Sequence, residues 1–373
     1  MRIAIDATPA AVQQGGVGRY ARELLRALVG RLTDHQFILA TAAPDDVARA
    51  LLDSLPPGSW RELRRLPLAE RWMTALWHRL RAPIPVERLI GPHDLFHGTD
   101  FVVPPGRASK VVTIHDLSFR LHPEFAEPSL ARFLSAAVPR SIERADAIIT
   151  VSASVAAELA DLYPASRDKV VAIPNGVRLP SASTLPRGEA DSPTILMVGT
   201  VEPRKNHLTA LAAFDIVRQD LPDAQLTIIG RPGWRSEEIQ RAIRAAQRQG
   251  GVCWIEAASD DELERAFAAA AVAISPSHYE GFGLPVLEAM ARSLPVVASD
   301  IRAHREVAGD TVLYAPPGDA EALAEQIVKL LGDSELRASL AVRARERAGT
   351  FGWDETARRT LRVYEAVAGR RHP

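Results

Sequence analysis

The stretch TILMVGTVEPRKNHLTALAAF (194–214) runs from a near-continuous apolar segment, through a short polar loop, into a helical pattern. An apolar run of this length and composition fits a strand of a parallel sheet covered on both faces. A strand followed at once by a helix is half of a βαβ unit. Outward from this stretch the alternation repeats. QLTIIG (225–230), VCWIE (252–256), VAISP (272–276), PVVAS (295–299) and TVLYA (311–315) read as further strands, with helices between most of them. Upstream, RIAIDA (2–7), QFILAT (36–41), KVVTIHD (110–116), AIITVS (147–152) and VVAIP (170–174) form an earlier series, separated by helices such as GRYARELLRALVG (18–30) and SVAAELADLY (154–163). Between the two series lies RLPSASTLPRGEADSP (178–193), rich in Pro and Ser and without period, which reads as a linker. The expected fold class is α/β, with two doubly wound Rossmann-like domains at 1–177 and 194–352 facing across a cleft, and a closing helix over 353–373.

Composition narrows the function classes. The chain has 373 residues, which suits two domains. Its net charge of −1 gives no electrostatic case for nucleic acid. One cysteine, Cys253, excludes an internal disulfide and a cysteine-rich zinc site, and a reducing, cytoplasmic setting fits. No apolar run is long enough to span a bilayer. Residues 60–90 mix arginines with Trp60, Trp72 and Trp77. A basic, aromatic helix there is the candidate for peripheral attachment to an anionic membrane, against packing inside the first domain.

In parallel sheets chemistry collects in the loops after strands. In 194–214, Gly199 ends the strand and Arg204 and Lys205 stand at the helix entrance. Two cations there suit a diphosphate, Arg gripping it bidentately and Lys as a point charge. In HYEGFGLPVLEAM (278–290), Gly281 and Gly283 permit a tight strand-to-helix passage, and Pro285 suits a first helical turn. That helix mouth is an anion site, Glu288 lies one turn in, and Glu280 precedes it in the loop. GGVGRYARELL (15–25) places Gly15, Gly16 and Gly18 before a helix, but the long loop is a poor dinucleotide fingerprint. TIHDLSF (113–119) ends a strand with His115 and Asp116, and FHGTD (96–100) adds His97 and Asp100. A strand-end histidine can donate to a sugar hydroxyl or phosphate, or pack as an ordinary core residue. Their spacing fits no zinc pattern and no D-x-D is present, so no metal and no cofactor is expected. Asn175-Gly176 in IPNGV (173–177) reads as a turn or hinge.

Taken together, GGVGRY, VTIHDLSF, ADAIITVSASVAAEL, IPNGV, LMVGTVEPRKN, SPSHYEGFGLPVLEAM and FGWDETARRTLRVYEAV resemble, over essentially the whole chain, the retaining glycosyltransferases of family 4, which have the GT-B fold. GGVGRY, HDLSF and EPRKN are most similar to bacterial mannosyltransferases of O-antigen and other surface-polysaccharide assembly. The resemblance implies that Arg204 and Lys205 neutralise the donor diphosphate, with Gly199 beside them. Glu288 would hold the ribose, and Glu280 would lie near the transferred sugar. The backbone of Gly281, Phe282, Gly283 and Leu284 would contact sugar and phosphate. Gly16 would approach the phosphate from the first domain, and His115 the transferred sugar. Asp116, Gly15 and Tyr20 fall on the acceptor side. The closing helix would cross back to the first domain.

The implied reaction is metal-independent transfer of a hexose, mannose from GDP-mannose being favoured over a UDP-sugar, to a saccharide or lipid-linked glycan acceptor. WIEAASDDEL (254–263) departs from the family by carrying Glu256-Ala257 where a Gly-aromatic pair is common, which leaves the base open. An epimerase or a non-catalytic nucleotide-sugar-binding subunit are the competing readings. The sequence carries no signal of oligomeric state.

Overall fold

The computed structural model describes residues 1–31, 34–56, 61–68, 72–73, 75–80, 82–180 and 193–369. The chain forms two compact units. One comprises Met1–Arg120, Ser129–Gly176 and Trp353–Pro373, and the other Leu121–Pro128 and Val177–Gly352. Most of the expected linker, and Trp60 of the expected membrane helix, lie outside the described residues.

The first unit holds a seven-stranded parallel sheet: β1 (Arg2–Asp6), β2 (Gln36–Thr41), β3 (Arg61–Arg65), β4 (Leu95–Gly98), β5 (Ser109–Ile114), β6 (Ala147–Thr150) and β7 (Val170–Ala172), in the order β3-β2-β1-β4-β5-β6-β7. The second holds six: β8 (Thr194–Val198), β9 (Gln225–Ile229), β10 (Val252–Ile255), β11 (Val272–Ser275), β12 (Val296–Ser299) and β13 (Leu313–Ala315), in the order β10-β9-β8-β11-β12-β13. The ladders are all parallel. The helices needed below are α1 (Gly16–Val29), α2 (Ala153–Leu162), α3 (His207–Asp220), α4 (Leu284–Ala291), α5 (Arg302–Ala308) and α6 (Trp353–Gly369). Among the described residues no helix is long and apolar enough to cross a membrane.

The patterning explains these elements. The central strands β5 and β11 are buried at every residue, as apolar runs in a two-sided sheet must be. α2 is capped by Ser152, whose side chain accepts from the Val155 amide. The second core gathers Ile195, Met197, Leu226, Ile228, Val272, Ile274 and Phe214 around β8, β9 and β11.

One expectation changes. Residues 60–90 are not one basic helix. Arg61–Arg65 (RELRR) is an edge strand paired in register with β2, and Ala75–Arg79 is a π-helical turn. A charged edge strand pairs through its backbone and carries no apolar alternation to announce it. Trp77 is buried with its indole donating to the Ile84 carbonyl at 2.9 Å, whereas Trp72 and Leu80 are exposed. Gly176, where the sequence suggested a turn or hinge, is the last residue before the second unit resumes at Val177, and it meets the backbone of another segment: a Cβ there would lie 2.4 Å from the Trp353 nitrogen. Glycine is required for that close approach.

α6 belongs to the first unit and joins it through a chain of neutral polar groups. The Tyr364 hydroxyl lies 2.6 Å from His97 Nδ1, His97 Nε2 lies 2.8 Å from Thr113 Oγ1, and Thr113 meets the Tyr20 hydroxyl at 2.9 Å. All four side chains are buried, and burial pushes the His97 pKa down to about 3. Replacing Tyr364 by Phe leaves one buried imidazole nitrogen without its partner. Loss of one member of a buried hydrogen-bonded pair costs about 1–3 kcal/mol. Tyr364→Phe is therefore expected to lower the denaturation midpoint measured by circular dichroism in urea, and an unchanged midpoint would show the chain to be energetically idle.

Candidate active site

β8 and β11 are neighbours at the centre of the second sheet, although they are not consecutive in the chain. The connections leave this pair in opposite directions, so the point outside their carboxyl ends is the sheet's switch point, where open α/β sheets bind ligands. Two loops meet there. After β8, the turn Pro203–Lys205 ends at Asn206 in the left-handed conformation, φ 59° and ψ 46°. The Asn206 side-chain amide donates to the Pro276 carbonyl at 3.1 Å, and the His278 amide donates to the Arg204 carbonyl at 2.9 Å. These two bonds stitch the β8 loop to the β11 loop.

The stitching brings Arg204, Lys205 and Glu280 together. Lys205 Nζ donates to Glu280 Oε1 at 2.5 Å, and Arg204 Nη1 to Glu280 Oε2 at 2.8 Å and to the Tyr279 carbonyl at 3.0 Å. Ser277 Oγ donates to Glu280 Oε1 at 2.8 Å. A further acid, Glu202, accepts from Arg204 Nη2 at 2.7 Å and is 1% exposed. Burial works against the Glu280 carboxylate, but Lys205 and Arg204 outweigh it and hold its pKa well below the usual range. For Glu202 burial dominates, and its pKa is raised despite Arg204 and Lys205. The stem of Lys205 runs alongside Gly199, where an added Cβ would come 3.6 Å from the lysine Cε.

The glycine turn after Glu280 is set by what lies beneath it. Gly283 has φ 103° and caps α4, and a Cβ on it would stand 3.0 Å from Cδ2 of His304 on α5. His304 is fully buried. Its Nδ1 lies 2.9 Å from the Ser299 carbonyl and its Nε2 3.4 Å from Ser275 Oγ. A carbonyl only accepts, so Nδ1 carries the proton, and burial keeps the ring neutral. Ser299 Oγ donates to the Ser277 carbonyl at 2.5 Å, tying this support back to the serine that holds Glu280. α4 then opens with Leu284 and Pro285, and Glu288 lies buried on it, 6% exposed. Phe282 is buried with its ring edge-on to Phe351 at 6.0 Å.

In the first unit the candidates sit at the carboxyl ends of β1, β4 and β5. Gly15 caps α1 and Gly16 is its first residue. His115 Nε2 donates to the Thr99 carbonyl at 2.7 Å, and its ring meets Tyr20 edge-on at 4.8 Å. Tyr20 is 1% exposed with its hydroxyl at Thr113, so it packs beneath His115 and offers no open hydroxyl. Asp116 accepts from the Ser118 amide at 2.9 Å and hydroxyl at 2.7 Å. No local pattern singles out Asp6, which accepts from the Thr8 amide at 2.9 Å and whose pKa burial raises to about 6. Asp100 accepts from Gln13 Nε2 at 2.8 Å, and burial raises it while His115 opposes the rise. Glu202 and His304 were likewise missed. Only the strand-end position of Glu202 could have drawn notice, and His304 lies on a helix with no local signal.

Comparison with known proteins covers both halves of the chain. Residues 14–179 match the model "Glycosyltransferase Family 4", and residues 186–347 match "Glycosyl transferases group 1". The O-antigen chain mannosyltransferase B of Escherichia coli is 27% identical over 396 residues, covering 98% of this chain and 100% of that protein. Among solved structures, the sucrose-phosphate synthase of Thermosynechococcus elongatus aligns over 98% of both chains with a TM-score of 0.74 at 22% identity. Anabaena HepE, solved with UDP and glucose, covers 98% of this chain and 99% of its own with a TM-score of 0.73 at 16% identity. These likenesses give the fold as GT-B. The chain belongs to the glycosyltransferases, with a family 4 amino-terminal half and a group 1 carboxyl-terminal half.

Proposed function

We propose that this glycosyltransferase moves mannose from GDP-mannose, with retention of configuration, onto a saccharide or polyprenyl-linked glycan in bacterial surface-polysaccharide assembly. The observation that carries the donor site is the meeting of Arg204, Lys205 and Glu280 at the switch point beside the mouth of α4. The choice of mannose is supported by full-length similarity to an O-antigen mannosyltransferase. Exposed Trp72 and Leu80 support an acceptor carried on a lipid.

In this reading the donor diphosphate lies against Arg204, Lys205 and the first turn of α4. The bond between sugar C1 and the diphosphate oxygen breaks with oxocarbenium character, and negative charge grows on the leaving phosphate. The two cations and the helix N-terminus stabilise that charge. The acceptor hydroxyl attacks C1 from the same face and its proton passes to the leaving phosphate. Glu288 accepts hydrogen bonds from the ribose. Glu280 is engaged by Lys205 and Arg204, which suits a carboxylate that positions cations and sugar better than one that forms a covalent intermediate.

Lys205→Ala and Glu288→Ala are expected to cut transfer by about 10²–10³-fold or more, the scale of removing one charged contact to a transition state. The assay is radiolabelled sugar transfer into acceptor, with circular dichroism to show an intact fold. Near-normal turnover in either variant would overturn the site. A thermal-shift panel of nucleotides and nucleotide sugars tests the donor. Stabilisation by GDP and GDP-mannose, and not by UDP forms, is the expected result. The reverse would replace mannose with a UDP-sugar and leave the reaction class standing.

A further inference from the structure

The ion cluster after β8 contains two carboxylates, Glu202 and Glu280, against two cations, Arg204 and Lys205. Both cations are engaged by those carboxylates, so formal charge within the cluster is balanced before a ligand arrives. Both acids are also buried: Glu202 is 1% exposed and Glu280 8%. A nucleotide sugar carries a diphosphate esterified at both ends, a dianion at neutral pH. Two further negative charges make it strongly unfavourable for both carboxylates to be ionised together out of bulk water.

We infer that a diphosphate entering this site draws one proton from solvent, and that Glu202 receives it. This rests on the donor-site reading of Arg204 and Lys205. The step is a protonation alone: one proton moves from water to the Glu202 carboxylate, and no donor bond forms or breaks. A protonated Glu202 keeps an oxygen that accepts from Arg204 Nη2, so the guanidinium stays in place while its charge is released toward the phosphate. Glu202 is thus a positioning residue, holding one nitrogen of the fork while Glu280 and the Tyr279 carbonyl hold the other.

The surroundings single out this acid. Facing it are Arg204 and Lys205 from its own turn, Glu280 from the β11 loop, and His207 at the start of α3. The loop after β9 packs on its stem, where a Cβ on Gly233 would lie 3.3 Å from Glu202 Cβ, and that loop carries the exposed Arg231 and Arg235. Burial already favours the protonated form of Glu202, whereas Glu280 is held ionised by Lys205 and Arg204. The two nearby imidazoles, His207 and His304, are disfavoured as proton acceptors by burial.

Titration calorimetry of the full chain with GDP-mannose and UDP-glucose, in two buffers of equal pH but different ionisation enthalpy, tests this. Both ligands lack a phosphate that titrates near neutral pH. The wild type is expected to take up as much as one proton per donor bound. Its affinity should fall as pH rises, by at most about tenfold per pH unit. Glu202→Gln, a mimic of the protonated acid, should bind without uptake and with affinity independent of pH, and Glu202→Asp should restore uptake. Binding whose heat is the same in both buffers overturns the inference while leaving the donor site intact. Uptake that survives in Glu202→Gln overturns the assignment to Glu202. Absence of binding by either nucleotide sugar overturns the donor-site reading and the inference with it.

Discussion

Glu280 is an ionised carboxylate set almost wholly out of water, and it can stay ionised there only because Lys205 and Arg204 are on it. A buried charge is tolerated when its attraction to partners and its hydrogen bonds offset the lost hydration. That requirement reaches into the fold. The partners come from the loop after β8 and the acid from the loop after β11, so the pairing depends on two strands that are adjacent in the sheet but far apart in the chain. The left-handed Asn206, the bond from His278 to Arg204, and the serines at 277 and 299 all serve to keep the pairing in register. The glycine turn and α4 follow from that fixed point.

The two units solve the problem of buried polar groups in different ways. In the first, Tyr20, Thr113, His97 and Tyr364 form a run of neutral groups, and burial keeps the imidazole from charging. Such a run holds its hydrogen bonds across the ordinary pH range. In the second, the central polar groups are ions whose energies depend on one another. Sensitivity to pH and to added charge is therefore concentrated around Arg204 and Glu280, while the joint between α6 and its sheet is insulated from both.

Much of this was legible in the sequence because the signals were local. Continuous apolar runs gave the strands of both sheets, and the glycines with Pro285 gave the turn into α4. Arg204, Lys205 and Glu280 stood in loops after such runs, where chemistry is expected. What escaped had no local signature. RELRR pairs as β3 through backbone alone, and its charges read as surface. Trp77 sits in a basic stretch yet points inward, since the partner of its indole is a carbonyl further along the chain. Glu202 looks like a solvated neighbour of Arg204 until both acids are seen on one guanidinium. His304 supports a glycine twenty-one positions earlier, and only the fold brings them together.

The place of α6 has a consequence for how the protein is made. Chains emerge from the ribosome amino terminus first, and domains ordinarily fold in that order. Here the His97 imidazole on β4 waits for Tyr364, which is synthesised after the whole of the second sheet. The carboxyl-terminal sheet has all its strands in hand before the amino-terminal unit receives its last helix. The order of completion is thus inverted relative to the order of synthesis, and the nascent first unit must persist with an uncovered face until α6 has been made.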